Sequence, residues 1–237
     1  MRLIKINILL FLCIFIIVLL IYIKINNNTI KTDKVNFTLE KKVIALTFDD
    51  GPEKETEELL NELRLRNVKV TFFVLGEKAL KYPNIIKKIH KDHHQIGNHT
   101  YNHKILSRLK NSQIHEQIEK TNEAVENIIG KKPEILRPSY GSVNKKVLRA
   151  SQMPIVLWSV DTKDWKIQNA RKIYKNNINK IKDGDIILMH DIFKSSIEGS
   201  LMLIDELLKE GFEFVTINDL AEIKGVELKE NEKYYRF

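Results

Sequence analysis

The chain opens with an unbroken apolar run over residues 8–23, and extending it to residues 6–25 gives about the ~20 positions a bilayer core requires. Arg2 and Lys5 precede the run, and no small-residue cleavage site follows it. Leu12 stands before Cys13, where a lipoprotein site would want a small residue. The pattern predicts an uncleaved transmembrane helix over residues 1–25 with the remaining chain outside the cell, although Lys24, Lys31 and Lys34 weaken the positive-inside asymmetry. Residues 26–40 are polar and aperiodic and read as a stalk. From residue 41 onward, short β-rich apolar runs alternate with helical periodicity. Strands are predicted at 43–47, 70–75, 96–98, 135–137, 155–160, 186–189 and 214–216. Helices are predicted at 55–66, 84–91, 112–129, 145–151, 170–181, 201–209 and 219–223, with Gly130 closing the longest. Seven strands separated by helices predict an α/β fold whose parallel sheet closes into an irregular (β/α) barrel, one domain over residues 41–224 with a tail at 225–237. In such folds chemistry gathers at the C-terminal ends of the strands.

Composition changes this picture little. At 237 residues and 43% hydrophobic content the chain can bury one sizeable core. The net charge of +8 is spread along the sequence without a nucleic-acid motif, so an anionic membrane or cell-wall surface is the expected neighbour and nucleic acid is not. No motif points to a protein partner. Cys13 is the single cysteine, which excludes a disulfide within the chain.

Candidate chemistry begins where the first strand ends. Asp49 and Asp50 precede Gly51-Pro52, which turns the chain so that both carboxylates can reach one cavity even though strand residues alternate faces. One can then hold a metal while its neighbour accepts a proton; the plainer reading is an Asx turn or a helix cap. His99 and His103 are four residues apart, a spacing that places both imidazoles on one side of a helical turn. With Asp50 they offer two nitrogens and one oxygen, a set suited to Zn²⁺, or to Co²⁺ or another divalent transition ion, though such histidine pairs also arise on solvated helices. His90, His93 and His94 make the neighbourhood rich in imidazoles. His190 ends the apolar run 186–189, the position from which a barrel strand reaches the mouth of a site, and a core histidine is the competing reading. Asp164 offers a carboxylate able to raise the His190 pKa, and Arg137, also at a strand end, is suited to pair with Asp49 and hold its rotamer.

Five ordered stretches then carry a resemblance: Thr47-Phe48-Asp49-Asp50-Gly51-Pro52, His99-Thr100-Tyr101-Asn102-His103, Arg137-Pro138-Ser139-Tyr140-Gly141, Asp161-Thr162-Lys163-Asp164-Trp165 and Ile187-Leu188-Met189-His190. Together they resemble the motifs of the polysaccharide deacetylases, the NodB-like enzymes of carbohydrate esterase family 4, over residues 41–224. The resemblance implies that Asp49 is the general base, that Asp50, His99 and His103 are metal ligands, and that His190 is the general acid. It also implies that Arg137 orients Asp49, Asp164 tunes His190, the Tyr140 backbone N–H joins in stabilising the oxyanion, and Trp165 and Leu188 line a pocket for the acetyl methyl. Residue type alone fits Trp165 and Leu188 equally well to core packing, and Trp158, Phe48 and Asp161 read as structural. Ser139 stands where the family often has a second proline, which predicts a looser Tyr140 loop. His93 and Gln95 occupy positions that are commonly Gly and Glu.

By the same resemblance the expected function is metal-dependent removal of N-acetyl groups from amino sugars of peptidoglycan or a related surface polysaccharide; the N-terminal apolar run adds the expectation of a single-pass protein of the cell membrane with the catalytic domain outside. Hydrolysis of O-acetyl esters on an acetylated polysaccharide uses the same chemistry and is the alternative. A non-catalytic glycan-binding tether is a third reading, against which Asp49 and His190 argue, because binding alone needs neither a base nor an acid.

Overall fold

The computed structural model describes residues 41–237, together with Ile16, Ile17 and Leu19 as helical positions. The predicted stalk and the rest of the predicted anchor lie outside the described residues, and no helix among the described residues is long and apolar enough to cross a membrane. Eight strands are described: β1 Lys42–Asp49, β2 Thr71–Val74, β3 Gln95–Asn98, β4 Ile155–Val156, β5 Val160–Asp161, β6 Ile186–His190, β7 Phe212–Phe214 and β8 Lys233–Tyr234. The α-helices are α1 Lys54–Leu65, α2 Gly76–Lys81, α3 Pro83–Lys91, α4 Asn111–Ile129, α5 Lys145–Ala150, α6 Asp164–Ile167, α7 Ala170–Asn177, α8 Lys194–Lys209 and α9 Ile217–Ile223.

The sheet is built around β1, in which every residue after Lys42 is buried, as expected of a parallel strand covered on both faces. Its second half pairs with β6, from Ala45 opposite Ile186 to Asp49 opposite His190, and with β2, from Thr47 opposite Thr71 to Asp49 opposite Phe73. Its first three residues pair with β7. β3 extends the sheet beyond β2 and β5 extends it beyond β6, all in parallel. The ring then continues through single bridges: Asn98 to Leu136, and Leu136 to Ile155 of β4, which pairs with β8. An antiparallel bridge between Asp185 and Arg236 returns the chain to the start of β6. Leu59, Leu60 and Leu63 of α1, Ile86 and Ile89 of α3 and Ile204 and Leu207 of α8 bury their apolar faces against Leu46, Phe48 and Phe72. Fully burying each such side chain is worth about 1.5–3 kcal/mol.

Four differences from the sequence-based expectation have local causes. The strand predicted at 135–137 shrinks to the bridged residue Leu136, because the Arg137 side chain, rather than a neighbouring strand, takes the carbonyls of Val156 and Leu157. The strand predicted at 155–160 divides in two, since Ile155 and Val156 pair with β8 while Val160 and Asp161 pair with β6. α8 starts at Lys194 instead of 201: Gly199 lies inside the helix and packs α8 against α7, where a Cβ would lie 3.1 Å from Ile173. The segment read as a tail carries β8, and the Phe237 N–H donates to the Gly184 carbonyl at 3.0 Å. Gly184, at φ 80°, leaves no room for a side chain beside the Phe237 carbonyl.

Candidate active site

β1, β3, β6 and the ends of their loops converge at one mouth of the barrel. Asp49 is the last residue of β1 and is 3% exposed. The guanidinium of Arg137, fully buried, donates from Nη1 to Asp49 Oδ1 at 2.8 Å and to Thr47 Oγ1 at 2.6 Å. Nε and Nη2 donate to the Val156 and Leu157 carbonyls, and the group stacks 4.0 Å from the Phe73 ring. Arg137 therefore has four of its five N–H donors engaged, and it fixes the Asp49 rotamer. Burial pushes the Arg137 pKa down while Asp49 opposes that shift.

Asp50 breaks the strand by adopting φ 72°, a left-handed conformation that Asp tolerates better than most residues. This turn lets two neighbours in sequence face the same cavity. Gly51 follows so closely over buried Asp191 that a Cβ would come 2.4 Å from its carboxylate oxygens, and Thr56 of α1 donates to Asp191 Oδ2 at 2.5 Å. The loop holding Asp50 is thus seated on the residue next to His190.

His99 and His103 lie beyond β3, but not on a helical turn as their spacing predicted. Thr100 and His103 have φ of 73° and 59°, so an irregular loop folds back on itself and brings the two rings to 5.3 Å between centroids. Asn98, buried at the end of β3, organises that loop by accepting the Thr100 N–H at 2.8 Å and donating to Asn122. Asp50 Oδ1 lies 3.2 Å from His99 Nε2 and 3.1 Å from His103 Nε2, and the three ligand atoms fall within 4.8 Å of one another. Asp50 Oδ1 is nevertheless a buried oxygen without a hydrogen-bond partner, so the ring nitrogens are close to it without being aimed at it. His99 Nδ1 sits 2.6 Å from the Arg137 carbonyl, which can only accept; Nδ1 therefore donates, and in the neutral ring Nε2 keeps its lone pair for a ligand. Burial works against ionised Asp50, but His103 and His99 outweigh it and hold its pKa well below the carboxylate range. The donor set fits a divalent cation. His90, His93 and His94 do not join it; His94 is buried against Phe72, accepts the Val70 N–H, and is held neutral with its pKa lowered to about 4 by burial.

On the other side, Asp164 is fully buried at the start of α6 and grips His190 twice, accepting from the backbone N–H at 2.8 Å and from Nδ1 at 2.9 Å. This leaves Nε2 free, 4.0 Å from Asp50 Oδ2. Burial alone would lower the His190 pKa, but the Asp164 contact, with Asp49 and Asp50 nearby, pushes it up to about 9. The imidazole is then a proton donor near neutrality.

A cavity of about 580 Å³ joins these groups, and Tyr140, Trp165 and Leu188 line it with them. Tyr140 is held at φ 60°, ψ 14°, and is 66% exposed, while Trp165 is half-exposed at the rim. A non-glycine residue kept in this region stores of order 1–3 kcal/mol and marks an over-determined loop. Ser139, expected to loosen that loop, instead pins it: it is buried, with Oγ 2.9 Å from Thr100 Oγ1 and 3.3 Å from the His99 carbonyl. His93 adopts φ 60°, the conformation that suits glycine at that position, and Gln95 ties β3 to α9 through Asn218. Four lining residues were not assigned to the site from sequence: Gly141, Trp158, Asp161 and Phe193. Aromatic type alone cannot tell a cavity wall from core, and Phe193 reveals its position only because α8 starts immediately after it.

The strands and loops define an α/β barrel with a two-histidine, one-aspartate ligand face at its strand ends, flanked by a paired carboxylate and a paired imidazole. The chain belongs to the polysaccharide deacetylase family, whose profile matches residues 37–156. It is 39% identical over 209 residues to the peptidoglycan-N-acetylglucosamine deacetylase PgdA of Listeria monocytogenes, a match covering 88% of this chain and 44% of that protein. The chain thus spans less than half the length of that relative. A solved structure named T48 deacetylase, with substrate, superimposes with a TM-score of 0.79 at 40% identity, covering 83% of this chain and 98% of that one. A family 4 acetyl xylan esterase from Clostridium thermocellum, solved with a cobalt ion, gives a TM-score of 0.79 at 30% identity, covering 82% and 98%.

Proposed function

We propose that this protein hydrolyses the N-acetyl group of amino sugars in peptidoglycan or a related surface polysaccharide, releasing acetate and leaving a free amine. The observation that carries the reading is the pairing of Asp49 with Arg137 and of His190 with Asp164 on two sides of the Asp50, His99 and His103 cluster. Those three residues would hold a divalent cation, Zn²⁺ fitting the donors best; when bound it supplies Lewis-acid polarisation of the acetamide carbonyl. Asp49 takes a proton from the attacking water as its oxygen bonds to the carbonyl carbon. His190 Nε2 then gives its proton to the sugar nitrogen as the C–N bond breaks. The Tyr140 N–H serves the developing oxyanion, and Trp165 with Leu188 receives the acetyl methyl and excludes water beside it. The peptidoglycan deacetylase relative supports the amide reading; the acetyl xylan esterase neighbour favours O-acetyl esters as the second one. Mass spectrometry of acetate release from peptidoglycan, chitin oligomers, poly-N-acetylglucosamine and acetylated xylan separates the two. Release from xylan alone would replace the amide reading, and release from none would remove both. The apolar run at residues 8–23 supports a single membrane span with the catalytic domain outside.

A further inference from the structure

The two candidate ligand histidines are held in different ways. His99 is built in: it is buried, and its Nδ1 donates to the Arg137 carbonyl at 2.6 Å. Among the described residues the ring of His103 has no such bond, and its side chain is 25% exposed. The hydrogen bonds that tie its loop to other segments stop at Asn102 and resume at Ser107. Before the gap, the Gly76 and Glu77 N–H groups donate to the Thr100 and Tyr101 carbonyls at 3.1 and 3.0 Å, and Gln117 Oε1 accepts from the Tyr101 and Asn102 N–H groups at 3.1 and 3.3 Å. After it, Ser107 Oγ lies 2.6 Å from Ser142 Oγ. His103 stands in the gap at φ 59°. Besides His99 and Asp50, its ring meets the Tyr140 ring, 4.4 Å away between centroids and tilted by 47°.

Tyr140 is presented by a fixed loop. The Gly141 and Ser142 N–H groups donate to the Pro138 and Ser139 carbonyls at 2.9 and 3.2 Å, and Ser139 Oγ reaches Thr100 Oγ1. Trp158 packs so closely on Gly141 that a Cβ there would come 2.7 Å from its ring. We infer that the Tyr140 side chain is a positioning residue for His103: its ring does for that imidazole what the Arg137 carbonyl does for His99, holding the plane in which Nε2 lies 3.1 Å from Asp50 Oδ1. This role belongs to the ring and is separate from that of the Tyr140 N–H. It rests on the reading of Asp50, His99 and His103 as metal ligands. A ligand ring left to rotate must be ordered when the cation binds, and a preset ring avoids that entropy loss. An imidazole that gives its lone pair to a cation also becomes electron-poor, so its attraction to a neighbouring π-system strengthens on loading. Both effects favour the loaded site and slow release.

The test measures Zn²⁺ affinity and release rate by competition with a chromophoric chelator, in the full-length protein in detergent, with circular-dichroism melts of each metal-free variant as the check on folding. Tyr140→Ala should bind Zn²⁺ about tenfold more weakly, the lower end of what losing a partner of a ligand histidine costs, and chiefly by faster release. Tyr140→Phe keeps the ring and should stay within about twofold of the parent. Tyr140→Gly suits φ 60°, so it removes the ring from a backbone that folds readily, and it should weaken the metal as Ala does. His103→Ala should weaken Zn²⁺ more than either, and adding Tyr140→Ala to it should cost nothing further, because the ring acts through His103. Parent-like affinity in Tyr140→Ala and Tyr140→Gly overturns the inference. So does a Phe variant as weak as Ala, which would assign the effect to the hydroxyl, or a Gly variant restored to the parent, which would assign it to backbone strain. An undiminished loss from Tyr140→Ala in the His103→Ala background overturns it as well. Parent-like Zn²⁺ binding by His103→Ala itself would instead remove the ligand reading on which the inference stands.

Discussion

Asp49 and His190 are register partners on neighbouring strands, yet their side-chain partners differ in sign: a guanidinium holds one and a carboxylate the other. Since Asp164 is what raises His190 to about 9, the metal-loaded Asp164→Asn variant should lose its acid at lower pH, moving the alkaline limb of kcat/KM downward. An unshifted limb would refute the pairing as a tuning device. Asp49→Asn should cost about 10²-fold or more in rate with the metal retained, the usual worth of general-base assistance, and undiminished turnover in that variant would sink the base assignment. At this scale the sequence was informative because the residue types are unusual at strand ends. What it could not give was conformation. The His99 and His103 spacing suggested a helical turn, whereas backbone at positive φ brings the rings together, and Ser139 proved to be a tether through a hydroxyl whose partners are distant in sequence.

Among the elements, long periodic segments such as α1 and α4 were legible, while elements defined by a partner were not. Leu136 is a strand of one residue because its neighbour's side chain occupies the adjacent carbonyls, and β8 is a strand because β4 offers an edge. The second case makes a prediction. Ile155 and Leu157 donate to the Glu232 and Tyr234 carbonyls, and Phe237 packs with Val43 and Ile217. Ending the chain at residue 224 should therefore expose the β4 edge and the lower core. Thermal melting followed by circular dichroism is expected to show a lower midpoint and a broader transition; an unchanged melt would mean the barrel does not depend on this strand.

For the whole molecule, hydrophobic patterning announced the parallel α/β class, because strands buried on both faces leave apolar runs that helices separate. Closure into a barrel was expected from the alternation of strands and helices, but the single bridges that carry it leave no pattern in the sequence. The proposed membrane span belongs to this scale: cell fractionation with N-terminal sequencing should recover an intact chain in the membrane, and a soluble form starting within residues 25–34 would overturn it. The position of β1 in the sheet has one more consequence. It is the first strand of the domain and its centre, and Thr47 must wait for the Ile187 carbonyl, 140 residues later, before that edge is covered. A chain made N-terminus first would, if β1 folded early, present a buried-type strand with an open edge to its neighbours, an invitation to intermolecular pairing. The order of strands thus favours a nascent chain in which β1 stays unpaired until β6 has been made.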